Sequence, residues 1–531
     1  MPVWLIAVVL YIAHLVGLLA VAISGSKKPA ATLTWLTFCL VVPFLGLVVY
    51  LLLTRKVQRR SSLPWEFPAT KETDDGVNQT LNMDLITPSA SAAAIASAVT
   101  LFSSPPVQAD LRSYISGEYF YQDLVSAIQG ARSTIDIEFY IFRYDEVGQA
   151  VVTALLERLQ AGVKVRFLLD GFGSRKFPQH VLKHLTAAGA QCRIFFPIRF
   201  PFLTASVNHR DHCKIVVIDH TTAFTGGMNV GREYAGWDPS YGPWRDTHVK
   251  IEAKVSLPLG DLFEANFELG TPIRHTQAQV ASETSTAASR VRGVLANDTR
   301  IDVSHADKTR LNDARSNDNS RTDNAGTDNA RTNDARADGG QRRPGIEVHS
   351  RGLIQFLQSG PDTPRQNLRE LYFLCLTQAT RQVDITTPYF LPESDLLMGL
   401  YTAVARGVRV RLLLPEQVDH RMIGYACQTY FPSLLHAGVE IYLRRPGVLH
   451  AKVMTVDQHL AVVGAANYDL RSFRLNYEVA MVQYGEAFVE ELRQQFEMDL
   501  EVSRRLEMHE LHQSVFDRMR HNAARLLAPL M

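Results

Sequence analysis

Two segments of the sequence carry the same chemically competent side chains at the same spacing. The first runs from His212 to Asn229 and the second from His450 to Asn467. In each, His-x-Lys is followed by four residues, an Asp, six residues, Gly-Gly or Gly-Ala, one residue and an Asn. A single copy could be a strand that happens to carry these residues. Two copies with every spacing matched indicate a duplicated functional unit.

The spacing predicts where these side chains lie. Residues i and i+2 of a strand face the same side, so His212 and Lys214 project together and Cys213 points away. The midpoint of the first segment falls just after Asp219, where the polar DHTT sequence predicts a hairpin turn. The returning strand should therefore bring Asn229 beside His212. The second segment predicts the same arrangement for His450, Lys452 and Asn467, with the turn after Asp457.

One His, one Lys and one Asn from each segment suit phosphoryl chemistry. Lys and Asn donate hydrogen bonds to phosphoryl oxygens that develop charge. One His can attack phosphorus as a nucleophile, and a second can protonate the leaving oxygen. No dense Asp/Glu/His cluster accompanies them in the sequence, so we expect the two lysines to replace a metal, and no cofactor is predicted. The pattern favours phosphodiester cleavage through a phosphohistidine.

The elements around these segments are also repeated. Each half contains a strand, a helix and a second strand that follows a glycine. The pairs are Ile135–Phe142 with Val383–Phe390, Val147–Ala161 with Ser394–Arg406, and Gly162–Asp170 with Gly407–Pro415. Strands that alternate with helices predict an α/β fold with two similar halves, each a mixed β-sheet flanked by helices.

The first 53 residues contain no Asp, Glu or Arg, and two apolar runs dominate them. Val3–Ile23 and Leu33–Leu53 each match the roughly 20 residues that cross a hydrocarbon core. The sequence therefore predicts a two-helix transmembrane hairpin, and a cleaved signal peptide is the less favoured interpretation. Arg55, Lys56, Arg59 and Arg60 follow the second run, against two lysines in the loop, so we expect a multi-pass protein with a cytoplasmic catalytic body.

The chain divides by composition into five segments. Residues 1–60 form the anchor, and 61–110 a linker or membrane-proximal segment with a possible helix at Ser89–Phe102. The two catalytic halves are 111–274 and 346–531, the second with a C-terminal helical tail. Between them, 275–345 is rich in Asn, Asp and Arg, with repeated TDNA and NDAR units. It has too little apolar surface to offset chain entropy, so disorder is expected.

Composition excludes several classes. Lys plus Arg number 55 and Asp plus Glu 54, which argues against a general polyanion binder, so no nucleic-acid partner is expected. Five scattered cysteines argue against a disulfide scaffold or a Cys-rich zinc site.

The duplicated motif resembles that of the phospholipase D superfamily, whose His-x-Lys-x4-Asp signature stands here as HCKIVVID and HAKVMTVD. Within it, the sequence is most similar to the bacterial cardiolipin synthases, on stretches such as NHRDHCKIVVID, TGGMNVGREY, TTPYFLPE and GAANYDLRSFRLNYE. The resemblance covers about residues 1–60, 110–270 and 346–505. It implies a bacterial inner-membrane enzyme that converts two phosphatidylglycerols into cardiolipin and glycerol without a metal.

The resemblance also implies residue roles. His212 is expected to be the nucleophile and His450 the general acid and then base. Because the two halves are similar, the alternative is that the two histidines exchange these roles. Asp219 and Asp457, grouped with the catalytic residues, would support the hairpins and the local charge. The other implied residues are phosphate-binding Lys214, Lys452, Asn229 and Asn467, and Glu478 and Asp246 as carboxylates that hold the imidazoles. Ala465 departs from the Ser usual in the family, which removes one small phosphate donor.

Three alternatives to a synthase remain at this point. A phospholipase D-type hydrolase would differ only in letting water reach the phosphohistidine. A membrane-tethered nuclease is disfavoured by the near-neutral charge, and a catalytically silent lipid-binding scaffold has no need of two intact motifs. The apolar run Ile194–Ala205 suits either core packing or contact with a bilayer.

Overall fold

The fold is built from buried β-branched strands that alternate with amphipathic helices. The computed structural model describes residues 3–24, 29–54, 90–197, 208–273, 350–363, 365–418, 420–511 and 514–527. The expected disordered insert at 275–345 lies outside the described residues, as do 61–89 and most of the apolar run after Phe196.

Fifteen α-helices are present in the described part of the chain. They are α1 Val3–Ser24, α2 Pro29–Val41, α3 Leu45–Thr54, α4 Ala90–Val99, α5 Gly117–Gly130, α6 Glu146–Gln160, α7 Gln179–Ala187, α8 Leu259–Leu269, α9 Asn367–Gln378, α10 Ser394–Ala405, α11 Arg421–Gln428, α12 Phe431–Ala437, α13 Leu470–Arg474, α14 Glu486–Glu501 and α15 Val515–Leu527.

Twenty strands accompany these helices within the same described residues. They are β1 Val107–Tyr114, β2 Thr134–Phe139, β3 Lys164–Asp170, β4 Gln191–Phe195, β5 Lys214–Ile218, β6 Thr222–Gly226, β7 Trp244–Arg245, β8 His248–Ala253, β9 Thr271–Pro272, β10 Ser350–Ser359, β11 Gln382–Thr386, β12 Phe390–Leu391, β13 Arg409–Pro415, β14 Glu440–Arg444, β15 Val448–Leu449, β16 Val453–Val456, β17 Leu460–Gly464, β18 Tyr468–Asp469, β19 Glu478–Tyr484 and β20 Ser503–Arg505.

Sixteen of these strands form one mixed sheet. Its order is β20-β14-β13-β11-β16-β17-β19-β10-β1-β8-β6-β5-β2-β3-β4-β9. Outward from the central β1–β10 pair, corresponding strands of the two halves follow one another in the same order. The α/β class and the paired halves are therefore as expected, but separate sheets for the halves are not. The antiparallel β1–β10 pairing joins them edge to edge, which removes two exposed sheet edges.

Glycines end the corresponding helices of the two halves. Gly162 follows α6 with φ 87° and Gly407 follows α10 with φ 86°. Only glycine adopts this left-handed conformation without a steric cost, so both helices stop there and the chain enters β3 and β13. Each of these strands pairs in parallel with the strand before its helix, β2 or β11. The predicted strand–helix–strand repeat is confirmed.

The buried core has three large parts. One lies on the first half around Phe139 and Phe167, and another on the second half around Leu412 and Val462. The third spans the junction and is made by side chains of both halves, including Leu111, Ile215 and Ile251 with Phe356, Met481 and Leu492. Because both halves bury apolar surface in this shared core, their relative position is fixed, and with it the position of anything built between them.

The helix expected at Ser89–Phe102 is observed as α4. Ile95 and Val99 lie in the core of the second half, although the first half follows α4 in sequence. The Ser91 hydroxyl also donates to the Asp457 carboxylate. This part of the expected linker is thus packed into the catalytic body.

The N-terminal apolar segments form three helices. The first expected span corresponds to α1, but the second is not one continuous helix. It is divided between α2 and α3 at Pro43, which has no N–H for the helical ladder, and Phe44 follows with φ 63°. In the part of the chain that the structure describes, no helix is both long and apolar enough to cross a membrane.

Candidate active site at the junction of the halves

Two β-hairpins present the repeated motifs. β5 pairs with β6 so that Ile218 faces Thr222, and β16 pairs with β17 so that Val456 faces Leu460. The turns therefore fall at Asp219 and Asp457, as the spacing predicted. The predicted hairpins are confirmed, and each returns its Asn to the neighbourhood of its His.

Both histidines and both asparagines line one cavity of about 380 Å³. It lies between the halves, at the ends of the strands that follow the motif histidines. The residues that line it on the first half are Tyr140, Ile141, Arg210, His212, Asn229, Tyr234 and Trp244, and on the second half Tyr389, Glu393, His420, Tyr430, His450, Asn467, Asp469, Arg471, Asn476 and Arg525, among others.

Each histidine is held by the backbone of the opposite half. The His212 N–H donates to the Tyr477 carbonyl at 2.9 Å, and the His450 N–H donates to the Arg245 carbonyl at 2.7 Å. A parallel pair of short strands, β7 with β15, reinforces the second contact. The two halves therefore cannot move apart without displacing both imidazoles.

A carboxylate from the opposite half binds each imidazole. Glu478 contacts His212 Nδ1 at 3.0 Å, and Asp246 contacts His450 Nδ1 at 2.6 Å. Both carboxylates are fully buried and, when ionised, can only accept a hydrogen bond from Nδ1, so Nε2 of each ring is left for the reaction. Nε2 keeps its lone pair when the ring is neutral and carries a proton when the ring is charged. The sequence-predicted carboxylates are thus placed beside the imidazoles.

Glu478 and Asp246 occupy equivalent positions in the repeat. The motif glycines Gly226 and Gly464 pair with His248 and Ala480 on the next strand. Each carboxylate precedes that partner by two residues. The crossed arrangement follows from the pseudo-symmetry of the sheet.

Burial controls the charge of these pairs. It lowers the pKa of His212 to about 4, with Lys214 and Lys452 adding to the effect and Glu478 opposing it. The pKa of His450 is also lowered, by burial and Lys452, against Asp246. Burial disfavours the carboxylates' charge, but the facing histidines and lysines outweigh it and the pKa values of Glu478 and Asp246 are lowered. At neutral pH both acids are ionised and His212 is neutral.

The two lysines lie behind the histidines. Lys214 Nζ donates to the His212 carbonyl at 2.6 Å, and Lys452 Nζ donates to the His450 carbonyl. Both are buried, and neither is among the residues that line the cavity. Lys452 nevertheless acts on the charge of His212 and Lys214 on that of His450, so the two ammonium groups serve one composite site.

Comparison with known proteins agrees with this geometry. The sequence profile described as "Cardiolipin synthase, PLD-like domain" matches residues 124–238 and 372–500. The chain is 31% identical over 517 residues to a cardiolipin synthase of Geobacillus thermodenitrificans, covering 95% of this chain and 90% of the relative. It is 33% identical over 427 residues to cardiolipin synthase 2 of Bacillus anthracis, covering 80% of this chain and 71% of the relative.

The chain belongs to the cardiolipin synthase family. Among solved structures, a phosphatidylserine synthase of Haemophilus influenzae is similar with a TM-score of 0.55 and 16% identity, covering 82% of this chain and 99% of that one. That likeness supports the fold alone.

The motif aspartates, Asp219 and Asp457, do not line the cavity that contains the two motif histidines. Asp219 accepts hydrogen bonds from the backbone N–H groups of Arg132, Ser133 and Thr134 at 2.7–3.0 Å. Asp457 does the same with the backbone of residues 380–382 at 2.7–3.2 Å. Both lie at the hairpin turns, a whole strand away from the cavity, because a strand advances about 3.3 Å per residue. These contacts tie each hairpin to the start of the neighbouring strand, the supporting role expected of the two aspartates, and a direct part in catalysis stays a prediction.

The two motif asparagines make different hydrogen bonds in the two halves. Asn229 Oδ1 accepts from the Ile141 N–H at 3.1 Å, which leaves its amide NH₂ as the group able to donate elsewhere. The Asn467 N–H donates to the Ser472 hydroxyl at 3.1 Å. Ser472 also bonds the Glu478 carboxylate, so a buried hydroxyl stands near the position where Ala465 lacks one.

Several cavity residues were not anticipated from the sequence. Tyr140 packs against the His212 ring at 5.0 Å between centroids, and Trp244 against His450 at 5.5 Å. Arg210, Arg471 and Arg525 add positive charge to the cavity wall. Tyr140 directly follows a buried strand, and that position was an available signal. Arg525 had none, because it reaches the cavity from a helix at the far end of the chain.

A buried group of acidic residues beside β5 was also not predicted from the sequence. Single ligand atoms of Glu138, Asp211 and Cys213 all lie within 4.8 Å of one another. Burial and the neighbouring acid raise the pKa of Glu138 well above its usual range, and burial raises that of Asp211 to about 7. One carboxyl oxygen of Glu138 and one of Asp211 have no other hydrogen-bond partner. Because each carboxyl group has an acid beside it rather than a base, one proton shared between the two groups satisfies both oxygens. The group lies on the side of β5 opposite the cavity.

Proposed function

We propose that this chain is a phosphatidyltransferase that makes cardiolipin and glycerol from two phosphatidylglycerols. The observation that carries the proposal is the crossed pair of histidine–carboxylate contacts around one cavity, in a chain of the cardiolipin synthase family. A two-step displacement at phosphorus requires one imidazole whose Nε2 can attack and a second whose Nε2 can give and take a proton.

The first step forms a covalent intermediate. His212 Nε2 attacks the phosphorus of the first phosphatidylglycerol while the bond from phosphorus to the glycerol headgroup oxygen breaks. His450 gives its Nε2 proton to that oxygen, so free glycerol leaves and the phosphatidyl group stays on His212. The low pKa of His212, about 4, supports its assignment as the nucleophile because the ring is neutral at physiological pH.

The second step reverses these roles. A glycerol hydroxyl of a second phosphatidylglycerol attacks the phosphohistidine, His450 accepts the hydroxyl proton, and the bond from phosphorus to Nε2 breaks to release cardiolipin. Asp246 stabilises the imidazolium form of His450, which is present before the first step and forms again when His450 accepts the hydroxyl proton in the second. Glu478 orients His212 in both steps through Nδ1.

The developing charge on phosphorus needs donors around it. Lys214, Lys452, Asn229 and Asn467 fill this role in the proposal, as the resemblance implies, although the lysine ammonium groups bind backbone carbonyls in the structure. A shift of each ammonium from its carbonyl to a phosphoryl oxygen exchanges a hydrogen bond to a neutral acceptor for one to a negatively charged acceptor. No cofactor is assigned.

A hydrolase or nuclease of the same fold would use the same first step. Water is about 55 M, so transfer to a lipid hydroxyl prevails only when the acceptor is held close and water is excluded. The aromatic wall of Tyr140, Tyr234 and Trp244 supports water exclusion, and family membership favours transfer.

The same proposal places the protein at the bacterial inner membrane. Side chains of α1–α3 such as Trp4, Val16, Leu33 and Val41 are more than 60% exposed, and apolar surface of this kind is stable against lipid rather than water. The multi-pass anchor with a cytoplasmic body, and the five segments with boundaries at 60, 110, 274 and 345, remain parts of the proposal.

Product analysis tests the function. Purified protein in phosphatidylglycerol micelles with a chelator should yield cardiolipin and free glycerol, with phosphatidic acid as a minor product. His212→Ala and His450→Ala should each abolish turnover, and the double variant should be hardly worse, since the groups act as a unit. His459→Ala, at the turn of the second hairpin and outside the cavity, is the matched control and should stay active. Dominant phosphatidic acid at high lipid density would make the chain a hydrolase, and cleavage of single-stranded DNA instead would make it a nuclease.

A further inference from the structure

Helix α15 carries its polar side toward the protein and its apolar side outward. His521 and Ala524 are buried, 4% and 0% exposed. The opposite face carries Val515, Phe516, Met519 and Leu526, with exposed fractions of 62%, 82%, 64% and 80%. At 100° per residue these four side chains lie within one stripe along the helix. An ordinary surface helix has the reverse orientation.

The inward face of α15 contacts two tyrosines, Tyr425 of α11 and Tyr430 just beyond the end of α11. The His521 ring stacks on Tyr425 at 5.3 Å, with the Arg520 guanidinium 4.4 Å from the centroid of the same ring. The Arg525 guanidinium lies 4.5 Å from the centroid of Tyr430. These contacts fix the outward direction of the apolar stripe.

The stripe lies beside the entrance of the catalytic cavity. Arg525 and Tyr430 belong to the cavity wall as well as to the contact between α15 and the body. Ile423 of α11 also lines the cavity, and its neighbour Met422 is 40% exposed. Exposed apolar side chains of α11 and α15, Met422 and Leu526, are thus direct neighbours in sequence of residues that line the cavity.

We propose that α15 lies in the surface of an anionic phospholipid bilayer, with its apolar stripe among the acyl chains and the cavity entrance at the headgroup level. Such a helix binds lipid through an apolar face flanked by basic residues. Arg518 and Arg520 flank the stripe. Arg520 pairs with Asp517, the single acid of the helix, so Arg518 and Arg525 leave the helix with a net positive charge. A phospholipid can then enter the cavity headgroup first without leaving the bilayer.

The choice of a bilayer over a protein partner rests on two observations. The stripe consists of highly exposed apolar side chains, and Arg518 on its flank carries the positive charge that anionic headgroups attract. A lipid substrate, which belongs to the proposed function, is the one ligand that must arrive from such a surface. The helix position itself is measurable without any turnover.

Fluorescence of a label on the stripe tests the position of α15 in the full chain. All five native cysteines are buried, so Met519→Cys offers one reactive thiol for an environment-sensitive dye. Gln160→Cys, exposed at the end of α6, is the control. In phosphatidylglycerol vesicles with bromine on the acyl chains, the dye at 519 should be quenched and the dye at 160 should not. Equal quenching at both positions, or none at 519, overturns the proposal. Disulfide-linked dimers through residue 519 would assign the stripe to a second copy instead.

Kinetics with two substrate forms separate docking from chemistry. Met519→Glu should lower cardiolipin formation from long-chain vesicles about tenfold or more, the loss expected when an inserted apolar side chain becomes charged. On short-chain phosphatidylglycerol below its micelle concentration it should match the wild type. Met498→Glu, 50% exposed on α14, makes the same change away from the stripe and should affect neither substrate. An equal loss of Met519→Glu on both substrates overturns the docking role. A wild type that binds as described but makes no cardiolipin leaves docking intact and refutes the proposed function.

Discussion

The division of work between the two histidines can be tested by changing the leaving group. Glycerol leaves as a strongly basic oxygen and needs a proton from the general acid, whereas p-nitrophenol leaves without one. If His450 is the acid, Asp246→Asn should slow cardiolipin formation from phosphatidylglycerol but barely affect the first-turnover burst of p-nitrophenol from phosphatidyl-p-nitrophenol, which precedes the base-catalysed second step. Glu478→Gln, which acts on the nucleophile, should slow both reactions.

The size of the effect follows from the Asp246–His450 contact. The carboxylate is fully buried and lies 2.6 Å from His450 Nδ1. A hydrogen bond to a charged group contributes about 1.5–3 kcal/mol, which corresponds to a rate loss of about 10- to 150-fold. Without the carboxylate, burial and Lys452 lower the pKa of His450 unopposed, so less of the acid form is present at pH 7. The alkaline limb of the pH–rate profile, along which the general acid loses its proton, should therefore move to lower pH.

The measurement compares first-turnover rates of both variants on both substrates by rapid mixing. Asp238→Asn makes the same substitution in a loop outside the cavity and serves as the control. A large loss for Asp246→Asn with p-nitrophenol as leaving group, together with rescue of Glu478→Gln, would exchange the roles of His212 and His450. Equal losses for both variants on both substrates would refute any division between acid and nucleophile.

Three further predictions concern stability. Deletion of Ala281–Gly340 should leave activity within about twofold, since a change of loop length costs only about 0.6 kcal/mol per doubling, and loss of extractable folded protein would contradict this. Asp457→Ala should lower the melting temperature more than Asp219→Ala. Asp457 is 7% exposed and binds three backbone N–H groups, whereas Asp219 is less buried. Turnover of the folded fraction should persist in both variants. The Asp211 pKa of about 7 exceeds its unfolded value near 4, so the folded state holds more protons and wild-type stability should fall as pH rises from about 4 to 7. Glu138→Gln, whose amide can donate as the protonated acid does, should flatten that dependence in denaturant titrations, and an unchanged slope would show that the pair does not share a proton.

The sequence by itself determined the repeated unit and its reacting groups. Period-two alternation and a turn midway between His212 and Asn229 are local properties, so the hairpin and the side chains on its face could be predicted from one segment. The glycine stops after α6 and α10 were equally local, because φ near +87° is a property of a single residue.

The tertiary structure alone decided what joins the two units. The sequence placed Asp219 at the hairpin turn, but the backbone N–H groups that it binds, in residues 132–134, reach that turn only through the pairing of β2 with β5. Glu138 and Asp211 meet only through the pairing of β2 with β5, and Arg525 reaches the cavity from a helix more than 70 residues after His450.

The crossed contacts are the clearest case. Glu478 binds His212 and Asp246 binds His450 because β1 and β10 join the halves into one sheet, which turns each half's strand ends toward the other. Nothing within either repeat encodes that pairing, since it depends on the apolar surface that the halves bury together in their shared core. Local patterning fixes which groups each half offers, and burial between the halves fixes which groups meet.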